Sequence, residues 1–253
     1  MISTEELVTT ACPTIADLGP RFYFTPETVE VGRAYGLDGF RFYFLGRGGV
    51  LGDVDPNVVL SALGYFKPAV LHHMWTTGRE QASAGPRELA DAYLKCAQDH
   101  GRQHLSDVKE LDTFCAAAEQ VNNAADPTGL PLYAGIAALP LADDLPARAM
   151  QLIVVLRELR GSAHLAAVVA TDGVDPLTAH AIKRPDAWAL FGYDEDERPT
   201  LTDAQRAALQ VAEKTTTQIV APAYASLDAD SRTALLDGLA AIEPALPPMV
   251  LPG

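Results

Sequence analysis

A chain of 253 residues that is 48% hydrophobic and 21% charged has an ordinary globular composition, and is long enough to bury a core without disulfide or metal staples. Its net charge of −14, shared about evenly between the two halves, opposes a phosphate backbone and argues against tight duplex binding. The three cysteines, Cys12, Cys96 and Cys115, are widely spaced and form no CxxC pair, so neither a disulfide framework nor a zinc knuckle is expected, only buried thiols.

The first residues, Met1 to Glu6, are polar and acidic, unlike a signal peptide. No stretch approaches the roughly 18 apolar residues of a membrane span. A cytoplasmic protein without membrane contact is the expectation. Arg21-Phe22-Tyr23-Phe24 and Arg41-Phe42-Tyr43-Phe44 read either as short strands or as aromatic turns of helix. Thr25-Pro26-Glu27 supplies an N-cap, a proline at the first helical position and a first-turn acid, for a helix ending before Gly36. Asp55-Pro56 repeats the signal, and Lys67-Pro68 opens a helix with Val70, Leu71, Met74 and Trp75 in helical spacing. Pro86-Arg87-Glu88 starts a longer one, whose Leu89, Ala92, Tyr93, Cys96 and Ala97 make a buried face.

Further helices are predicted over 107–121 and 131–138. The segment 145–160 holds the most apolar run and is the central-helix candidate, with Gly161 expected to break or kink the chain before 163–170. Asp175-Pro176 and Thr202-Asp203 start the last helices, and 228–241 closes the fold. The acidic 191–201, with Pro199, reads as a hairpin or a plain loop. The proline-rich 244–253 reads as a flexible tail. The fold class is therefore mainly α.

Few residues suggest chemistry. Gly46-Arg47-Gly48-Gly49-Val50-Leu51-Gly52 has the wrong spacing for a nucleotide loop, and acids follow it, so a tight connection with close backbone approach is expected. Within it Arg47 either anchors a carboxylate ligand or pairs with a nearby acid. His72 and His73 diverge on a helix, so they do not readily share a metal. His100 and His104 have i, i+4 spacing but lack the rest of a zinc motif, and no metal is assigned. Arg157, Arg160 and His164 share a face if the helix continues through Gly161, and could line an anion pocket. No GxSxG elbow, Walker loop or paired-cysteine nucleophile occurs.

Several stretches together carry a resemblance: Tyr23-Phe24-Thr25-Pro26-Glu27, Gly36-Leu37, Tyr43-Phe44-Leu45-Gly46-Arg47 with Leu51-Gly52, and Phe66-Lys67-Pro68-Ala69-Val70 with Trp75. Ala125-Asp126-Pro127, Leu130-Pro131-Leu132 and Leu156-Arg157-Glu158 with Arg160-Gly161 and His164 extend it. Over residues 20–225 the chain resembles a family of actinobacterial helix-turn-helix proteins. The resemblance implies two winged-helix-like lobes, 1–105 and 106–243, joined by central helices, and it implies no particular activity. The chain departs from the family pattern at Gly19-Pro20-Arg21-Phe22 and at Gly48-Gly49-Val50, and its second wing, 191–201, is short and acidic.

The expected function is binding of a small ligand or protein partner rather than DNA. The expected site draws on Tyr43, Arg47, His73, Arg160 and His164, with Arg47, Arg160 and His164 converging between the lobes. The competing reading pairs each arginine with a local acid such as Asp53 or Glu158. Two other functions stay open. A DNA-binding regulator would need an exposed basic face from Lys67, His72, His73 and Arg79, or from Lys183 and Arg184. An enzyme of small-molecule metabolism would use Arg47, Arg160 and His164. No cofactor is assigned, and a homodimer is admitted.

Overall fold

The computed structural model describes residues 2–249, which form twelve α-helices, short 3-10 turns and no strand. In chain order these are α1 (Thr4–Leu18), α2 (Pro26–Ala34), α3 (Gly39–Gly48), α4 (Pro56–Ala62), α5 (Pro68–Gln81) and α6 (Pro86–His104). Then come α7 (Leu111–Ala124), α8 (Pro131–Ala137), α9 (Leu145–Ala170), α10 (Pro176–Lys183), α11 (Asp203–Tyr224) and α12 (Ala229–Ile242). The proline signals act as expected. Pro26, Pro56 and Pro176 open helices whose first amides are capped by Thr25, Asp55 and Asp175.

The axis of the fold is α9. Its 26 residues, about 39 Å of helix, are buried on nearly every side. Helices α6, α7, α8, α11 and α1 pack around it. One continuous apolar cluster runs from Leu7 to Leu246, and a smaller one lies at Ala167, Val168, Ala179, Leu209 and Ala212. All three cysteines are buried free thiols. No helix among the described residues is long and apolar enough to cross a membrane.

The polar start of the chain, to which the sequence reading assigned no element, is followed at once by α1, fixed by a capping box between Ser3 and Glu6, and α1 buries Leu7, Val8, Ala11, Cys12, Ile15 and Leu18. Three local expectations differ from the structure. The glycine-rich stretch is largely helix: Gly46, Arg47 and Gly48 form the last turn of α3. Its glycines serve close approach, as expected. A Cβ on Gly46 would stand 2.3 Å from Tyr93 Cγ, and one on Gly49 2.0 Å from the Pro86 carbonyl oxygen. Next, α9 passes straight through Gly161, because tertiary burial on both sides outweighs the low helix propensity of one glycine. Finally, the wing hairpins implied by the resemblance are not built from strands among the described residues. At 191–201 the Lys67 amide donates to the Phe191 carbonyl at 3.0 Å, the Phe66 and Phe191 rings stack at 4.2 Å, and Asp194 and Glu197 cap a 3-10 turn. Local bonds thereby satisfy groups that a ladder would otherwise pair.

In the tail, Leu246 is buried, and Arg21 donates to its carbonyl at 2.7 Å. Residues 250–253, which belong to the expected flexible tail, lie outside the described residues.

Two glycine substitutions test this packing in opposite directions. The space around Gly161 is open, with the nearest atom 3.9 Å from a built Cβ, so Gly161→Ala should raise stability by about 0.5–1 kcal/mol. Gly49→Ala should lower it by about 2–3 kcal/mol, because backbone rather than a mobile side chain blocks the methyl. Urea unfolding of both variants measures the two signs.

Candidate functional site

The long, deeply buried α9 also carries conspicuous charges. Arg157, Glu158, Arg160 and His164 all leave α9, and helical geometry sends Glu158 and Arg160 about 200° apart. Two polar groups result, one on each side of the helix.

The first group centres on Glu158, which is 3% exposed. Arg47, from the last turn of α3, donates Nη2 to both carboxylate oxygens at 2.8 and 3.0 Å and Nε to Oε1 at 3.2 Å. Its Nη1 donates to the Tyr43 hydroxyl one turn earlier. Arg157 adds Nη1 to Oε1 at 2.6 Å. The two guanidinium carbons lie 5.6 and 5.4 Å from the centre of the Tyr23 ring, within cation–π range. Burial alone would raise the Glu158 pKa, but Arg47 and Arg157 hold it below the usual carboxylate value. Burial pushes Tyr23 up to about 12 and Tyr93 well above its ordinary value, so both phenols stay protonated. The group therefore holds two cations, one anion and two neutral phenols.

Three polar groups of this cluster have no partner among the described residues: the Tyr23 and Tyr93 hydroxyls and Arg157 Nε. Tyr23, Tyr93, Arg47 and Glu158 line an inner cavity of about 20 Å³, room for a single water. Tyr23 and Arg157 also line a second pocket of about 60 Å³, among the rings of Phe24, Phe40, Tyr43, Phe66 and Phe191.

The second group centres on Glu213 of α11. Arg160 Nη2 donates to Oε2 at 2.6 Å, His164 Nε2 lies 3.1 Å from Oε1, and Lys183 at the end of α10 also reaches Oε1. Burial would raise the Glu213 pKa, yet His164 and Lys183 hold it low. Burial lowers the pKa of His164 and keeps the ring neutral. With Glu213 ionised, His164 Nε2 carries the proton, and Nδ1 accepts from the Tyr65 hydroxyl. Arg160, Lys183, Glu213 and Lys214 line an open cleft of about 560 Å³ between α1 and α11.

Of the residues singled out in the sequence, Tyr43 and Arg47 are thus together in one group and Arg160 and His164 in the other. Each arginine has a carboxylate partner, but neither partner is the local acid of the competing reading: Arg47 takes Glu158 and Arg160 takes Glu213, both far along the chain, and Asp53 pairs with Arg79. His73 is exposed on α5, and its side chain bonds to neither group. His100 is buried with its ring 4.6 Å from His104, and among the described residues no cluster of three metal-ligating side chains forms.

Sequence reading missed the roles of Tyr23, Tyr93, Tyr65 and Glu213. Tyr23 carried a signal, as an aromatic two residues before the helix cap Thr25. Glu213 sits in an exposed-looking run, Ala212-Glu213-Lys214-Thr215, that gives no hint of its partners.

A family model described as a helix-turn-helix family matches residues 9–248. No curated protein and no solved structure matches the chain.

Removal of either central acid should separate the two groups energetically. Glu158→Gln leaves two guanidiniums against an uncharged amide in the core and should cost about 3–5 kcal/mol. Glu213→Gln, where the partners reach solvent, should cost only about 1–2 kcal/mol in the same unfolding measurement.

A pH effect follows from two further histidines. Burial lowers both His100 and His180 from 6.5 to about 4, so both are neutral when folded. As pH falls below 6.5 the unfolded chain takes up these protons first. Stability should be complete above pH 6.5 and decline toward pH 4, by about 1.4 kcal/mol per pH unit for each ring. Urea midpoints between pH 7.5 and 4.5 measure it; a flat profile contradicts the assignment.

Proposed function

The chain belongs to the helix-turn-helix family, and from that premise we propose that it binds a small molecule rather than duplex DNA. The supporting observation is the Glu158 group: a buried positive excess, bordered by aromatic rings, with donors that have no partner among the described residues. Buried polar atoms of native proteins nearly always have partners, so orphaned donors beside a pocket point to a ligand. Tyr43 and Arg47 shape this site from α3, and Arg157 and Tyr23 present the free donors. Arg160 and His164 belong instead to the wet cleft on the other face of α9, where Glu213 already occupies them.

The cations that a DNA-reading face would need are each answered by an acid. Lys67 pairs with Asp194 and Glu197, Arg79 with Asp53, Lys183 with Glu213 and Arg184 with Asp186. Paired in this way, they add little to counterion release from a duplex, and the net charge of −14 opposes approach. Family membership keeps a DNA-binding regulator as the alternative. The tandem lobes, 1–105 and 106–243, and a homodimer remain part of the proposal.

Two measurements on the purified full chain decide between these functions. Native mass spectrometry should detect a non-covalently retained small molecule, or its binding on addition, and also counts subunits. Fluorescence anisotropy with random and genomic duplexes in about 150 mM salt should give no complex tighter than micromolar. Nanomolar binding to a particular duplex would overturn the proposal in favour of the regulator.

A further inference from the structure

Charge and shape at the second aromatic pocket narrow the ligand class. The pocket lies where Tyr23 and Phe24 precede α2, and is completed by Phe40 and Tyr43 of α3, Phe66 before α5, Arg157 of α9 and the 3-10 turn that ends at Phe191. The half-exposed Arg184 also lines it. Tyr23 is 3% exposed, and neither its hydroxyl nor Arg157 Nε has a partner among the described residues. The Tyr43 oxygen already accepts from Arg47.

Arg157 Nε can only donate, and the Tyr23 hydroxyl beside two guanidiniums has its proton to give, so the complement must bring acceptors. An ammonium group or a metal cation brings none and would add to the positive excess. The two guanidiniums against one carboxylate leave one unit of charge, which a monoanion cancels and a phosphate dianion overshoots. Aromatic walls also give a dianion too few donors to replace its water. Size sets a further limit. A cavity of about 150 Å³ holds a benzene ring, and this pocket has about 60 Å³, so it takes a head group and the first carbons and leaves the remainder outside.

We propose that this pocket binds an apolar monocarboxylic acid head first, its carboxylate accepting from the Tyr23 hydroxyl and Arg157 Nε and its body passing out among Phe40, Phe66 and Phe191. The inference rests on the small-molecule reading and specifies its ligand class. It also explains why an unpartnered phenol stands at the centre of an aromatic cluster. Phenylalanine would fill the same volume without a stranded hydroxyl, so Tyr23 is less favourable for the empty fold and favourable for the complex.

Isothermal titration calorimetry of the full chain with sodium benzoate and sodium butyrate, each against its neutral amide, tests the class. The acids should bind, and benzamide and butyramide should bind at least about tenfold more weakly. Tyr23→Phe should weaken benzoate about tenfold while leaving the melting temperature equal or higher, a combination that a structural hydroxyl would not give. Arg157→Gln should abolish binding, and Arg160→Gln, in the other polar group, should leave it unchanged.

Equal binding of acid and amide overturns the carboxylate class while the small-molecule reading stands. So does benzoate binding that is indifferent to both Tyr23→Phe and Arg157→Gln. If no acid or amide binds, the carboxylate inference fails; native mass spectra of the same preparation then tell whether the small-molecule reading fails with it, according to whether they contain a retained ligand.

Discussion

One buried carboxylate answers two guanidiniums, and much of the fold is arranged around that inequality. Glu158 sits in the middle of the longest helix, takes three hydrogen bonds from Arg47 of α3 and one from its neighbour Arg157. An ion pair so deep tolerates little displacement, because the desolvation of each charge is offset only while the geometry holds. The close approach of α3 to its neighbours follows the same need. Gly46 and Gly48 remove side chains where Tyr93 and Trp75 pass, which lets the last turn of α3 bring Arg47 up to α9. The aromatic shell of Tyr23, Phe24, Tyr43 and Phe66 then encloses the group and leaves the excess charge to cation–π contact and to whatever enters the pocket.

On the opposite face of α9 the same residue types do different work. Arg160, Lys183 and His164 gather on Glu213, also with a surplus of donors, but the cleft there is open and the cations reach water. Exposure screens the charges and provides the missing partners, so the group locks α10 and α11 to α9 without stranding a donor. Burial, rather than the choice of residues, separates a ligand site from a structural brace.

Helix starts were legible because proline and short polar caps act within one turn, and Thr25-Pro26, Asp55-Pro56 and Asp175-Pro176 each mark a helix to the residue. The continuity of α9 was not legible, since the low propensity of Gly161 is a local signal that packing overrides. Arg47 and Tyr43 could be picked out by residue type and by their place in a recognisable segment. Their partner Glu158 could only be guessed at from a chain separation of 111 residues, and Glu213 not at all. Convergence of Arg47 with Arg160 and His164 was inferred from chemistry alike in both groups. It could not foresee that two residues along a helix mean opposite faces in space. Membership of a helix-turn-helix family likewise names a scaffold, and a scaffold serves unrelated functions.

The central claim is that the Glu158 group keeps an unanswered positive charge beside Tyr23. The most direct measurement is anomalous diffraction from a crystal of the protein soaked in bromide, a monoanion small enough for the aromatic pocket. The account predicts a bromide peak within hydrogen-bonding reach of Arg157 Nε and the Tyr23 hydroxyl, with Arg47 still bound to both oxygens of Glu158. A site without halide, in which Arg157 has turned outward to solvent and Glu158 is shared by Arg47 alone, would contradict it.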